Sequence, residues 1–294
     1  MKTISFKVSA LVMLIAFSTL SQAANDAKSI MEKVDVVQRE TADMNLSLST
    51  LSSCPFQIKS KKVSCTESKR IKRFESYSIQ AGVNKKDSKA ISIILEPARE
   101  KGVGMLTYSY EDDSRDTESW LYLSALGKVK RMVSGSSDDQ EPVAFFGSEF
   151  TTEDMESGKT DEYDYKILQE GKYGQTQVWV IEAKPKPVRL RKTNYSKLLL
   201  WIDKEKFVAL KVQGYDKHGK LYKRTLMKKY EKLSGKWLAR EITVFNLQSK
   251  RLSTIVNEQV VLGVALDEAF LTQRSLNDFA FREQHLSKLR KHFK

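Results

Sequence analysis

Fifteen Asp and Glu residues crowd positions 111–164 against five Lys and Arg, and carboxylates at that density suit three kinds of chemistry. Paired in a cleft they act as general acid and base; gathered in one loop they hold calcium; spread over turns they meet only water. The runs are YEDDSRDTES, with Glu111, Asp112, Asp113 and Asp116, then DDQE at 138–141 and DEYD at 161–164. None has the central glycine and distal glutamate of an EF-hand loop, so solvated turns are the expectation. His218 sits in the turn YDKHGK without a neighbouring nucleophile, and His285 and His292 fall in the tail. Gly-x-Ser-x-Gly, His-Glu-x-x-His and Gly-x-x-x-x-Gly-Lys-Ser/Thr patterns do not occur. The reading is a non-enzyme with no catalytic residue, no metal and no cofactor. A hydrolase working through the acids of 111–164 is the least supported alternative.

The aromatic residues are more informative. Trp120 and Tyr122 in SWLYL, Phe145, Phe146 and Phe150 in AFFGSEF, and Trp179, Trp201 and Phe207 recur through one β-rich region. Each alone reads as core; together they supply a lining for a concave apolar cavity. Trp120, Tyr122, Phe145, Phe146, Phe150 and Trp201 are taken as the candidate lining or lid. Cys54 and Cys65 are the two cysteines, and three histidines without a Cys-x-x-Cys make a metal site a weak reading. A disulfide between them is expected in an oxidising compartment, worth roughly 2–3 kcal/mol by chain entropy.

That compartment follows from the first residues. Lys2 and Lys7, an apolar run from Val8 to Phe17, and small residues at Ser21 and Ala23 spell a secretory signal cleaved after Ala23. The apolar run is shorter than the roughly 20 residues that span a bilayer. Residues 24–294 are then expected to form one exported β domain with a helix in front and a basic tail behind. The net charge of +13 would suggest nucleic acid in a cytosolic protein; export removes that partner.

The elements that must position the aromatics are mostly strands. Ile30, Val34 and Val37 share one face of an amphipathic helix starting near Asp26. From Asn45 the sequence turns to β-branched and aromatic runs: NLSLSTL, SKAISIILE, GMLTYSY, SWLYLSAL, KVKRMV, QVWVIEA, KLLLWID, FVALKVQGY, KLYKRTLMKKYEKL, KWLAREITVFNL and RLSTIVNEQVVL. Short turns between them predict an antiparallel meander that curls into a barrel or half-barrel with one wet face. AKPKPVRLRK, residues 183–192, is expected as a basic loop, either a solvated turn or a contact for anionic head groups or an acidic partner. The C-terminal Arg282–Lys294 segment is expected as a solvated helix end, with transient membrane-surface contact as its other use.

In order, KGVGMLTYSYEDDSRDTESWLYLSALGKVKRMV, AFFGSEFTTEDM, DYKIL, VWVIEAKPK, YSKLLLWIDKE and YDKHGKLYK resemble the outer-membrane lipoprotein-sorting protein family, the LolA-like periplasmic carriers, over residues 90–276. Two motifs depart from the family pattern: LYLSAL has Ser124 in place of proline, and FFGSEF stands for Phe-Met-Gly-Ser-Asp-Phe. The resemblance implies a mainly β chain forming an incomplete, half-open antiparallel β-barrel with a helical lid, whose concave face shelters acyl chains. It implies a periplasmic carrier of lipoprotein or lipid moving cargo toward the outer membrane. A non-enzymatic accessory subunit of an inner-membrane exporter of the resistance-nodulation-division type is the second reading. On this frame residues 134–158 would close the barrel mouth. Gly147 would permit a tight turn, the three phenylalanines would face the cavity, Thr151 or Thr152 would cap a short helix, and the acids would face water.

Overall fold

The computed structural model describes residues 15–112, 114–133, 143–265 and 267–293; Asp113 and the acidic run 138–141 lie outside them. Helix α1 (Ile15–Ala42) leads into β1 (Asn45–Lys59) and the hairpin strand β2 (Lys62–Cys65). Then come β3 (Arg70–Ala81), β4 (Asp87–Glu96), β5 (Gly104–Ser109), β6 (Glu118–Leu123) and β7 (Lys128–Val133). The second series is β8 (Tyr163–Tyr173), β9 (Thr176–Pro185), the helical turn α2 (Pro187–Leu190), β10 (Lys197–Asp203) and β11 (Ala209–Tyr215). It continues through β12 (Leu221–Leu233), β13 (Lys236–Asn246) and β14 (Arg251–Leu262) to the helices α3 (Arg274–Asn277) and α4 (Phe279–Leu289).

The strands form one antiparallel sheet in the order β7-β6-β5-β4-β3-β1-β14-β13-β12-β11-β10-β9-β8, with β2 attached to β1. The chain therefore starts mid-sheet, meanders out to β7, crosses to the far edge at β8 and meanders back until β14 pairs with β1. That crossing is forced, because β7 and β8 are consecutive in sequence and are the two edges of the sheet.

Curvature follows from two contacts. Strands lie about 4.8 Å apart, so β3 and β8 would stand roughly 38 Å from each other in a flat sheet. Lys86, in the β3–β4 turn, nonetheless stands 3.6 Å from Asp161, two residues before β8. An ion pair of 2.8 Å also joins Lys192, in the β9–β10 connection, to Asp116, in the β5–β6 connection. The sheet thus curls around α1 and brings its margins together without pairing β7 to β8: a half-open barrel.

Alternation along the strands sorts the side chains. Tyr77, Ile91, Leu106 and Trp120 face one another across β3–β6 on the outer face. The row Ile181, Leu200, Val212, Thr225, Val244 and Ser253 crosses β9–β14 on the inner face. Ile30, Met31 and Val34 of α1, at helical spacing, pack against Ile181, Leu200 and Ile202 of that inner face. On the outer face Leu276, Leu286 and Leu289 of α3 and α4 cover Tyr77, Ile91 and Leu106.

Several expectations are corrected. Helix α1 begins at Ile15, not near Asp26, and runs through the expected cleavage point after Ala23. No glycine or proline interrupts residues 15–42, so nothing in the chain stops the helix there. Strand β3 was not among the predicted runs, since Arg70, Lys72, Arg73 and Glu75 dilute its apolar alternation; polar β8 was hidden for the same reason. The wet outer face holds around Trp201 and Lys211 but not over β3–β6, where the C-terminal helices lie. The expected solvated tail is docked: Arg290 bonds Glu75, a residue 1 % exposed, at 2.6 Å. Cys54 and Cys65 form the expected disulfide, across the β1–β2 hairpin, with Cα atoms 5.7 Å apart.

Candidate functional site

The described part of the crossing from β7 to β8, residues 143–162, lies on the inner face as a strap across the hollow. It opens with a reversal. Phe145 donates its N–H to the Phe150 carbonyl at 2.8 Å, and Thr152 donates to the Val143 carbonyl at 3.0 Å. Between them Phe146 and Gly147 both take the left-handed conformation, with φ of 49° and 69°. Glycine does so freely, while a phenylalanine there stores about 1–3 kcal/mol that its surroundings must hold. The Phe146 carbonyl is held by Lys72 Nζ at 2.8 Å, and its ring lies 4.5 Å from that of Phe145 and 5.9 Å from Phe74. Phe145, Phe146 and Phe150 thereby drop onto Leu51, Phe74, Met105, Val244 and Ile255, and all three are buried.

Beyond the phenylalanines the strap is fastened by charge. Glu149 accepts from Arg251 Nε at 3.1 Å and Asn246 Nδ2 at 2.8 Å. Asp154 receives Lys223 Nζ at 2.7 Å and the Tyr195 hydroxyl. Thr151 and Asp154 also exchange hydrogen bonds through their side chains and backbone N–H groups, a capping box on a single turn. Arg189 of α2 stands within 3.3 Å of Glu153, 2.9 Å of Glu156 and 3.4 Å of Glu162, and donates from Nε to the Tyr163 hydroxyl at 3.0 Å. Asp35 of α1 accepts the Gly158 N–H at 2.6 Å. A Cβ on Gly158 would come within 2.8 Å of the Lys86 carbonyl, so only glycine fits between α1 and the β3–β4 turn.

The electrostatics of this network follow from its depth. Burial raises the Glu153 carboxyl above its ordinary range, against the pull of Arg189. Burial and the Asp154 charge push the Tyr195 phenol well up, so it stays a donor. Burial opposes the charge of Arg189, yet Glu156, Tyr163, Glu153 and Glu162 together hold its pKa above the ordinary value.

Three candidate residues are brought together, and three are not. Trp120 and Tyr122 point to the outer face, where Trp120 meets Tyr108 edge-on at 5.1 Å beneath the C-terminal helices. Trp201 is also on the outer face, with Lys211 Nζ 3.7 Å from its ring centroid. Glu149, Glu153, Asp154, Glu156 and Glu162 do not face water as expected but meet Arg251, Arg189 and Lys223, whereas Asp161 is exposed and pairs with Lys28. Sequence reasoning misses Lys223 and Arg251, and places Arg189 only within the basic loop 183–192. The one available signal was the excess of acids in 149–164, which needed counter-charges from outside that segment.

The model of a family described only as "Uncharacterized protein" matches residues 86–278. No curated protein matches the chain. A DUF1329 family protein from Desulfovibrio piger shares 24% identity over 86% of this chain and 99% of its own, with a TM-score of 0.75. An outer membrane lipoprotein-sorting protein domain from Vibrio parahaemolyticus gives 24% identity, the same coverages and a TM-score of 0.71. A LolA superfamily protein from Nitrosomonas europaea gives 18% identity over 84% of this chain and 97% of its own, with a TM-score of 0.61. The likeness is one of fold: the half-open barrel is LolA-like.

Proposed function

This chain belongs to the family of uncharacterized proteins whose model spans residues 86–278, and from its LolA-like fold we propose that it is a non-enzymatic periplasmic carrier of lipid or lipoprotein acyl chains. The observation that carries the reading is what fills the hollow. The apolar inner face is covered by the rings of Phe145, Phe146 and Phe150, which arrive on a crossing segment fastened by ion pairs. Burying three such rings is worth roughly 5–9 kcal/mol, and an acyl chain gains about 0.8 kcal/mol per methylene. A chain of about eight to ten buried methylenes therefore offsets the loss of all three rings. As far as the rings go, the strap is a plug that cargo can replace, with its ion pairs recovered in part by hydration, and no covalent chemistry is needed.

The test is extraction and mass spectrometry of lipids from the mature protein purified out of its own envelope without detergent, with uptake of a fluorescent fatty acid as the second measurement. Stoichiometric lipid or acylated protein supports the carrier. Phe146→Ser with Phe150→Ser is expected to raise fatty-acid uptake, because the rings compete with the chain for the same space. An empty protein, with no uptake by wild type or variant, sinks the reading.

One observation favours a second role. A hollow already packed by its own phenylalanines suits an accessory subunit that docks on an inner-membrane exporter and binds no lipid. Co-purification with such a transporter, together with an empty hollow, is its signature.

A further inference from the structure

Every described acid of the strap between Glu149 and Glu162 meets a cation, but one buried cation on the outer face meets no acid. Arg282 of α4 is 4% exposed, and its guanidinium forms no ion pair among the described residues. Its Nη1 donates one hydrogen bond of 3.4 Å to the Gly102 carbonyl, its Nε has no partner, and its plane lies 5.3 Å from the Phe279 ring. Arg290, two turns further on, is instead engaged by Glu75 at 2.6 Å and Glu283 at 2.9 Å. A buried guanidinium with so little compensation is costly, which is why such groups normally meet a carboxylate or a phosphate.

The same side chain lines a cavity of about 330 Å³ between the β4–β5 turn and α4. Its walls are of two kinds. Ile93, Tyr122 and Phe279 are apolar, and Phe279 stands 66% exposed at the rim. Arg282 and Lys101 are basic, and Lys101 makes no ion pair among the described residues. Glu283 also lines the cavity, but Arg290 occupies its carboxylate. Gly102, at φ +83°, turns the backbone past Arg282, and a Cβ there would make ordinary contact with Nη2 at 3.5 Å.

We propose that this cavity binds a small anionic amphiphile, a carboxylate or phosphate ester whose charged end pairs with Arg282 and Lys101 and whose apolar end lies on Phe279, Tyr122 and Ile93. At the roughly 30 Å³ a water molecule takes in the liquid, the cavity holds about eleven non-hydrogen atoms, the size of a medium-chain fatty acid. The site is on the opposite face of the sheet from the strap, so it stands or falls independently of the carrier reading.

The experiment is a titration of the mature protein with sodium octanoate, read on the arginine Nε–H signals by NMR, with octanol as the uncharged control. A second arm measures sedimentation with phosphatidylglycerol vesicles. Saturable movement of the Arg282 signal by octanoate but not octanol is expected. Arg282→Leu is expected to weaken binding about tenfold or more, the loss of a charge-assisted contact. Lys101→Glu, at an exposed position that leaves folding untouched, weakens it less. Arg282-dependent sedimentation identifies the charged end as a membrane head group; octanoate binding without sedimentation identifies a free ligand. Equal octanoate binding by Arg282→Leu and Lys101→Glu, or no saturable response to octanoate together with no Arg282-dependent sedimentation, overturns the proposal.

Discussion

The two faces of the sheet are closed by unlike means. On the outer face, Phe270, Leu271, Leu276 and Leu286, each 1% exposed or less, seat the C-terminal helices on a continuous apolar surface. On the inner face, the strap contributes a compact knot of phenylalanines and then relies on Glu149, Glu153, Asp154, Glu156 and Glu162 against Arg251, Arg189 and Lys223. Apolar contact loses its whole value when it separates, since both surfaces meet water. Ion pairs recover part of theirs by hydration, and a left-handed Phe146 adds strain that release would relieve. On the proposed carrier reading, the outer cover stays and the inner one detaches.

The sharpest way to break this contrast is Arg189→Met, which leaves three buried carboxylates without their shared cation. A loss of about 3–5 kcal/mol is expected for the strap. Hydrogen exchange should show the amides of Phe145 and Thr152 losing protection before those of β3 and β14; simultaneous loss would mean that strap and sheet are one cooperative unit. Leu286→Ala is the counterpart on the outer face, expected to cost about 2–5 kcal/mol in urea unfolding while strap protection stays as it was. Exchange of the strap in this variant would remove the distinction between the covers.

The smallest effect is a pH dependence. Glu153 has a folded pKa raised above its unfolded value, so its contribution to strap stability is complete below the ordinary glutamate range and is lost as pH rises through the raised value. Asp161, held low first by its hydrogen bond to Lys28, works in the other direction: its contribution is present above the ordinary aspartate range and lost on acidification through the lowered value. Strap protection is expected to increase on mild acidification from neutral pH and to fall again in stronger acid. Glu153→Gln should flatten the first limb and leave the second, and an unchanged first limb would assign it to another group.

Much of the fold was legible because strands advertise themselves locally. Runs such as KLLLWID and RLSTIVNEQVVL carry β-branched residues at a period of two, and short turns like KLSGK fix antiparallel neighbours. The candidate site was legible only in part. Phe145, Phe146 and Phe150 share one loop, so their sequence proximity became spatial proximity. Trp120 and Tyr122 fell on the other face because cavity lining is a matter of parity, and parity along a strand gives a side but not the identity of that side.

What the sequence by itself determined is most of the strands, though not β2, β3 or β8, the antiparallel pairing of those joined by short turns, the disulfide partners and the glycine turn that folds the phenylalanines back. What only the tertiary structure decided is which face curls inward, that the β7-to-β8 crossing lies on it, and that Arg189 gathers Glu153, Glu156 and Glu162. Those acids lie 27 to 36 residues from the arginine, and Lys223 lies 69 from Asp154. Local propensity acts over a few residues, whereas pairing of buried charge is set by which segments the closing sheet brings into a common low-dielectric space.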